Sequence, residues 1–216
     1  VTERNDMTAS ETRLRADARR NRDQIVAAAR QVFAAAGPDV PMEEIARAAG
    51  VGVGTLYRRF PDREALIRAV ARESFAQVLA DAREAAAEEP TAWDALVRLV
   101  GRSHQLQASV QLALVSERAR EILKRDAQTA EFRDALLAEL DTIVQAAQAE
   151  GSVRPDVGTG DVAILFSLVL RQPPAVDDPA LLAFERAAVL MLDGLRSRPG
   201  SPLPGRPITG EDLQIH

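Results

Sequence analysis

Residues 50–55 read GVGVGT and run straight into LYRRF at 56–60. Three glycines at alternate positions before a helix-like run suit two structures: a loop that cradles the phosphates of a nucleotide, or a tight turn that lets a helix lie against something large. The flanking residues decide between them. A dinucleotide loop needs G-x-G-x-x-G after a β-strand, because the glycines turn the chain from strand to helix beneath the pyrophosphate. Here the spacing is G-x-G-x-G, and the preceding MEEIARAAG at 42–50 has the pattern of an amphipathic helix. A P-loop needs Lys and then Ser or Thr after its last glycine, where this chain has Thr55-Leu56. Both nucleotide readings fail on context.

What remains is helix, tight turn, short helix. Ile45, Ala46 and Ala49 supply a packing face, Gly50 the turn, Val51 a buried plug, and Leu56 with Phe60 the inner face of the second helix. This is a helix-turn-helix, and its helices are too short to fold alone. Upstream, Ile25, Ala28, Ala29, Val32, Phe33 and Ala36 fall on one face of a helix that begins at Asn21 and ends at Gly37-Pro38. Downstream, Asp62 is placed to cap a fourth helix from Arg63 to about Ala87, carried by Leu66, Val70, Val78 and Leu79 and long enough to join a head to a body.

The remainder reads as further helices over Trp93 to about Ser109, 110–124, 129–149, Asp161 to Leu170 and Pro179 to Arg198, with a loop from Gly151 to Gly160. No alternating β pattern and no internal repeat occurs. The expected fold is therefore all-α: a flexible basic arm over 1–20, a helix-turn-helix domain over 21–67, a larger helical domain over 68–198, and a disordered Pro- and Gly-rich tail over 199–216.

Composition narrows the function. Hydrophobic residues make up 46% of the 216 and charged residues 27%, the balance of a globular chain. The absence of cysteine excludes disulfides, zinc–thiolate sites and cysteine nucleophiles. The longest strongly apolar run, VAILFSLVL at 162–170, is far short of the roughly 20 residues of a membrane helix, and a soluble cytoplasmic protein is expected. The net charge of −5 at first argues against a nucleic-acid partner. Residues 1–72, however, hold 13 Arg against 10 acidic residues, a balance of +3, while the rest holds 14 basic against 22 acidic residues, a balance of −8. A small basic module on a larger acidic body fits that asymmetry.

At this point the residues carry a family likeness. The span from about 21 to 68, and above all EEIARAAGVGVGTLYRRFPDREALI, resembles the DNA-binding domain of the TetR family of bacterial transcriptional regulators. The GSVRPDVGTGDV loop at 151–162 before an apolar helix is similar to one in several members' C-terminal domains. The resemblance implies a homodimer on a palindromic operator in double-stranded DNA, usually as a repressor, released by a small molecule bound in the C-terminal domain.

In a helix-turn-helix the N-terminal part of the second helix meets the base edges. Gly52 and Gly54 have no side chain to hold that end away from the duplex, and Val53 can touch a thymine methyl. Thr55 and Tyr57 offer hydroxyls to phosphate oxygens, contacts that the resemblance implies. Arg58 or Arg59 can bind guanine O6 and N7 with two hydrogen bonds; Arg63 matches a basic position that the family uses on phosphate. Arg13, Arg15, Arg19 and Arg20 of the arm suit a groove or phosphate role. Pro41 and Gly52 stand where a Thr or Ser cap is usual in the family.

In the body, Trp93, His104, Gln105, Gln107 and Phe132 are candidates to line an effector cavity, and Leu165, Leu168, Phe184, Ala188, Met191 and Leu195 to form a four-helix dimer interface. No metal or cofactor site is expected. An enzyme is disfavoured: His104 and His216 cannot form a His-x-x-x-His site, no G-x-S-x-G elbow exists, and Asp177-Asp178 are neighbours in a loop without partners. The alternative is a helical, structural protein that binds DNA without regard to sequence.

Overall fold

The computed structural model describes residues 2–102, 116–170, 178–198, 200 and 202–213, with the side chains of 2–16, 178–181 and 184 outside that description. Its helices are α1 (Thr2–Ala36), α2 (Met42–Ala48), α3 (Val53–Arg59), α4 (Arg63–Glu88), α5 (Ala92–Arg102), α6 (Glu117–Lys124), α7 (Ala127–Ala149), α8 (Thr159–Leu170) and α9 (Asp178–Leu195), followed by a 3₁₀ turn at Glu211–Leu213. The β-structure of the described residues is one isolated antiparallel bridge, Val153 with Arg196.

Two apolar cores organise these helices. The first gathers Ile25, Val26, Ala29 and Phe33 of α1, Met42, Ile45 and Ala46 of α2, Leu56 of α3, Phe60, and Leu66, Ile67 and Val70 of α4. The second contains Val78, Leu79, Ala82 and Ala85 of the same α4 with residues of α5, α7, α8 and α9. A single 26-residue helix thus contributes its first turns to the head and its last turns to the body. Asp62 starts it, its carboxylate accepting the Ala65 amide at 2.7 Å, a cap of the kind worth about 1 kcal/mol.

The turn inside the head follows from one glycine. Gly50 has φ +66°, its amide donates to the Arg47 carbonyl at 3.1 Å, and the Val51 amide reaches back to the Ala46 carbonyl at 3.0 Å. That pair of bonds is a Schellman motif, which closes α2 and needs the left-handed conformation that glycine adopts freely.

Two terminal segments differ from the sequence expectation. Residues 2–20 continue α1 rather than forming a separate flexible arm. Their charged residues leave no apolar stripe, so periodicity gave no signal, although few of these residues oppose a helix. The tail expected to be disordered is docked across the body at 203–213. The Gly160 amide donates to the Ile208 carbonyl at 2.8 Å, Asp161 Oδ2 accepts the Ile208 amide at 3.0 Å, and Asp156 Oδ2 accepts the Leu203 amide at 3.1 Å. Arg154, and then the Leu203 amide, hold the Asp156 carboxyl down at about 2. Arg206 clasps Asp212 through both oxygens at 2.6 and 2.7 Å, folding the last turn on itself.

Candidate nucleic-acid interface and apolar cavity

α3 is held by what it buries. Leu56 and Phe60 point into the head core, which turns Gly52, Val53, Gly54, Tyr57, Arg58 and Arg59 outward, all exposed. The Gly52 carbonyl accepts the amides of Thr55 at 2.8 Å and Leu56 at 3.1 Å, without a side-chain cap. Added Cβ atoms would meet nothing within 4 Å at Gly54 and only Thr55 Oγ1, at 4.0 Å, at Gly52. The fold itself therefore leaves room for a side chain at both glycines. Val53 and Tyr57 on this face are exposed by 39% and 42%.

Charge on this face is partly ordered. Arg58 donates from Nη2 to Thr55 Oγ1 at 3.0 Å, one turn back on the same helix. The contact directs a guanidinium along the exposed face and holds the half-buried Thr55 hydroxyl beside it. Arg58 and Arg59 also occupy the last turn of α3, where the helix dipole favours cations.

Arg63 is placed differently from the sequence expectation. Its Nη1 turns back to donate to the carbonyls of Pro38, at 2.5 Å, and Val40. Those carbonyls belong to the loop between α1 and α2, so the arginine ties that loop to the start of α4. Arg19 and Arg20 lie exposed on α1, Arg20 paired with Asp17, while the side chains of Arg13 and Arg15 lie outside the described residues.

The head is wired to the body at a second point, missed by sequence reading. Ala119 and Ile122 of α6 insert into the head core, and Arg118 Nη2 donates to Glu64 Oε1 at 3.1 Å. Arg72 of α4 donates from Nε to Asp126 Oδ2 at 2.7 Å and from Nη2 to Oδ1. Asp126 also caps α7, accepting the Thr129 amide at 3.0 Å. The Arg72 guanidinium, with help from Thr129, holds the Asp126 carboxyl down at about 2 against the effect of burial.

The body contains an apolar cavity of about 240 Å³ between α4, α5, α7 and α8, lined by Phe75, Val78, Leu99, Leu136, Phe166 and Leu170 among others. Of the candidates proposed from sequence, the two that are described, Trp93 and Phe132, are not among its walls. Trp93 is buried in the body core with the Arg196 guanidinium 3.7 Å over its ring. Phe132 lines a groove of about 460 Å³ at the junction of head and body, beside Arg22, Arg59 and Arg72. His104, Gln105 and Gln107 lie outside the described residues. Periodicity marked Trp93 and Phe132 as inward-facing but could not say inward to what.

The proposed interface residues also divide. Leu195 and Ala188 are buried in the body's own core, Leu165 and Met191 are partly buried against it, and the side chain of Phe184 lies outside the described residues. Leu168 is exposed by 47%, and sequence reading missed Leu182, Val189 and Leu190, exposed by 55%, 57% and 69%. On α9 both faces are apolar, so sequence could not choose which one looks outward. No helix among the described residues is long and apolar enough to cross a membrane.

The comparisons agree with this geometry. Residues 25–70 match the family model described as bacterial regulatory proteins, tetR family, and residues 89–197 match the model of the C-terminal domain of SbtR-like transcriptional regulators. A TetR transcription regulatory protein from Mycobacterium vanbaalenii is 37% identical, covers 85% of this chain and 99% of its own, and superposes with a TM-score of 0.60. A TetR transcriptional regulator from Streptomyces coelicolor is 33% identical, covers 81% and 98%, and has a TM-score of 0.63. A ketosteroid transcriptional regulator of Mycobacterium tuberculosis shares the fold at 20% identity, with a TM-score of 0.59 and coverage of 82% and 95%. No curated protein matches.

Proposed function

The chain belongs to the TetR family of bacterial transcriptional regulators, and from that premise we propose that it is a repressor that binds a palindromic operator as a homodimer and is released by a small molecule. The carrying observation is the outer face of α3. Val53, Gly54, Tyr57 and Arg58 are exposed together while Leu56 and Phe60 anchor the helix beneath them. A helix seated this way can enter a major groove, with Arg58 or Arg59 reaching guanine edges and Tyr57 and Thr55 the phosphates.

Two further features support the rest of the reading. Four of the exposed large apolar residues, Leu168, Leu182, Val189 and Leu190, belong to α8 and α9 and are the most exposed of them, and such a concentration on a surface marks an interaction site. A second copy packed there would form a four-helix seam with two-fold symmetry, and two heads would then read two half-sites. The cavity supplies the effector site. It borders the body half of α4, whose other half belongs to the head, so a ligand favouring one placement of α4 shifts the population of DNA-competent dimers.

The test is binding of the purified protein to candidate operators against a nonspecific competitor. A regulator shows a preference for one two-fold sequence of about a thousandfold or more over random DNA. A sequence-blind affinity that only follows salt would replace this reading with a structural DNA-binding protein.

A further inference from the structure

The docked tail reaches the apolar cavity. Leu213, in the closing 3₁₀ turn, is one of its lining residues, and a Cβ added to Gly210 would lie 3.9 Å from the Cβ of Leu137 in the same wall. The tail is seated at a site shaped for backbone. A Cβ on Gly158 would lie 2.2 Å from the Ile208 carbonyl oxygen, and one on Gly160 would lie 2.5 Å from Ile208 Cγ2 and the Thr209 oxygen. No side chain tolerates such distances, so both glycines are required by the tail's approach. Asp161 Oδ2 completes the seat, accepting the amides of Gly158 at 2.8 Å and Ile208 at 3.0 Å.

The cavity's polar groups are already engaged. Arg133 donates from Nε and Nη2 to Asp134 Oδ1 at 3.1 and 3.0 Å, and Ser167 donates its hydroxyl to the Ile164 carbonyl at 2.7 Å. The other lining residues among those described are aliphatic or aromatic. The volume, about 240 Å³, lies between that of a void that holds benzene, about 150 Å³, and the smallest drug-sized pockets, about 300 Å³.

We propose that the C-terminal segment 203–213 is a detachable wall of the effector site, closed by Leu213, and that the site takes a small neutral apolar molecule. This rests on the reading of the cavity as the effector site. The tail is held by a few hydrogen bonds and a half-buried Ile208, with two glycines rather than a large apolar interface beneath it. It can therefore lift while the body core stays intact, giving the ligand a way in.

Binding of naphthalene, with naphthalenesulfonate as its charged counterpart, tests this by calorimetry on the full chain, Leu213→Ala, Gly160→Ala and a chain ending at Pro202. The full chain binds naphthalene and binds the sulfonate at least about tenfold more weakly, because the anion would lose its hydration against mainly aliphatic and aromatic walls. Leu213→Ala weakens naphthalene binding roughly five- to tenfold through lost apolar contact. Gly160→Ala weakens it similarly by expelling the tail, although the substituted residue is not in the cavity, and adding that change to the shortened chain has no further effect. Far-ultraviolet circular dichroism confirms that each variant is folded. Naphthalene affinity equal in all four proteins overturns the tail's role and leaves the effector cavity standing. Absence of naphthalene binding in all four overturns both, and tighter binding of the sulfonate overturns the ligand class.

Discussion

Arg72 and Asp126 meet across 54 positions of sequence, the guanidinium of α4 gripping with two donors the carboxylate that caps α7. The pair lies just beyond the last α4 residues of the head core, so it fixes α7 to the helix shared by both domains. Asp126 is buried, and removing its charge leaves the guanidinium without its partner.

The first prediction concerns that pair. Asn caps a helix about as well as Asp, so Asp126→Asn isolates the ion pair, and urea unfolding at neutral pH will show a loss of about 2 kcal/mol. The folded carboxyl sits at about 2, below its ordinary value of 3.8. Its contribution is therefore complete above the ordinary value and disappears as pH falls through about 2. The gap between wild type and variant closes over that window; a gap independent of pH would deny the ion pair its role.

The second prediction separates folding from recognition on α3. Arg58→Ala and Tyr57→Phe alter exposed side chains, so thermal unfolding moves little. Operator affinity falls by about 1–3 kcal/mol for the arginine if it pairs with guanine, and by less for the tyrosine hydroxyl. Fluorescence anisotropy with a labelled operator measures both, and unchanged affinity in both variants would remove α3 from the DNA.

Gly54 gives a third prediction, with opposite signs in two assays. A Cβ there meets nothing within 4 Å, and replacing an exposed helical Gly by Ala stabilises by about 0.5–1 kcal/mol. Gly54→Ala therefore raises the melting temperature while weakening operator binding, because the methyl holds the helix off the duplex. A variant that melts higher and binds as well as wild type would show that the glycine is not a site of close approach.

The fourth prediction addresses the dimer. Leu190 is exposed by 69% in the single chain, so Leu190→Arg changes the stability of the isolated fold by no more than about 0.5 kcal/mol. At a two-fold seam it places an unpaired charge on each side. Light scattering after size-exclusion chromatography will report a monomer at concentrations where wild type is a dimer, with helical content intact.

What could be read from sequence was what is local. The Schellman turn at Gly50, the caps at Asp62 and α3's buried pair Leu56 and Phe60 all depend on residues within a few positions, and their spacing announces them. The tail could not be read in that way. PGSPLPGRPITGEDL has the composition of a coil, and its order comes from Gly158, Gly160 and Asp161, some 47 positions away from Ile208 in the case of Asp161. Arg63 follows the same rule: its hydrogen bonds to the carbonyls of Pro38 and Val40 span 25 and 23 positions, and nothing local announces them. Helix α9 offered apolar residues on both faces, so burial of Leu195 and exposure of Leu190 became visible only with the body assembled around them.

The most direct test is a footprint of the purified protein on the DNA flanking its own gene, at near-physiological salt with nonspecific competitor. The account predicts a protected site with two-fold symmetry whose protection by Arg58→Ala needs roughly five- to a hundredfold more protein. Uniform protection without sequence preference, in wild type and variant alike, would contradict it.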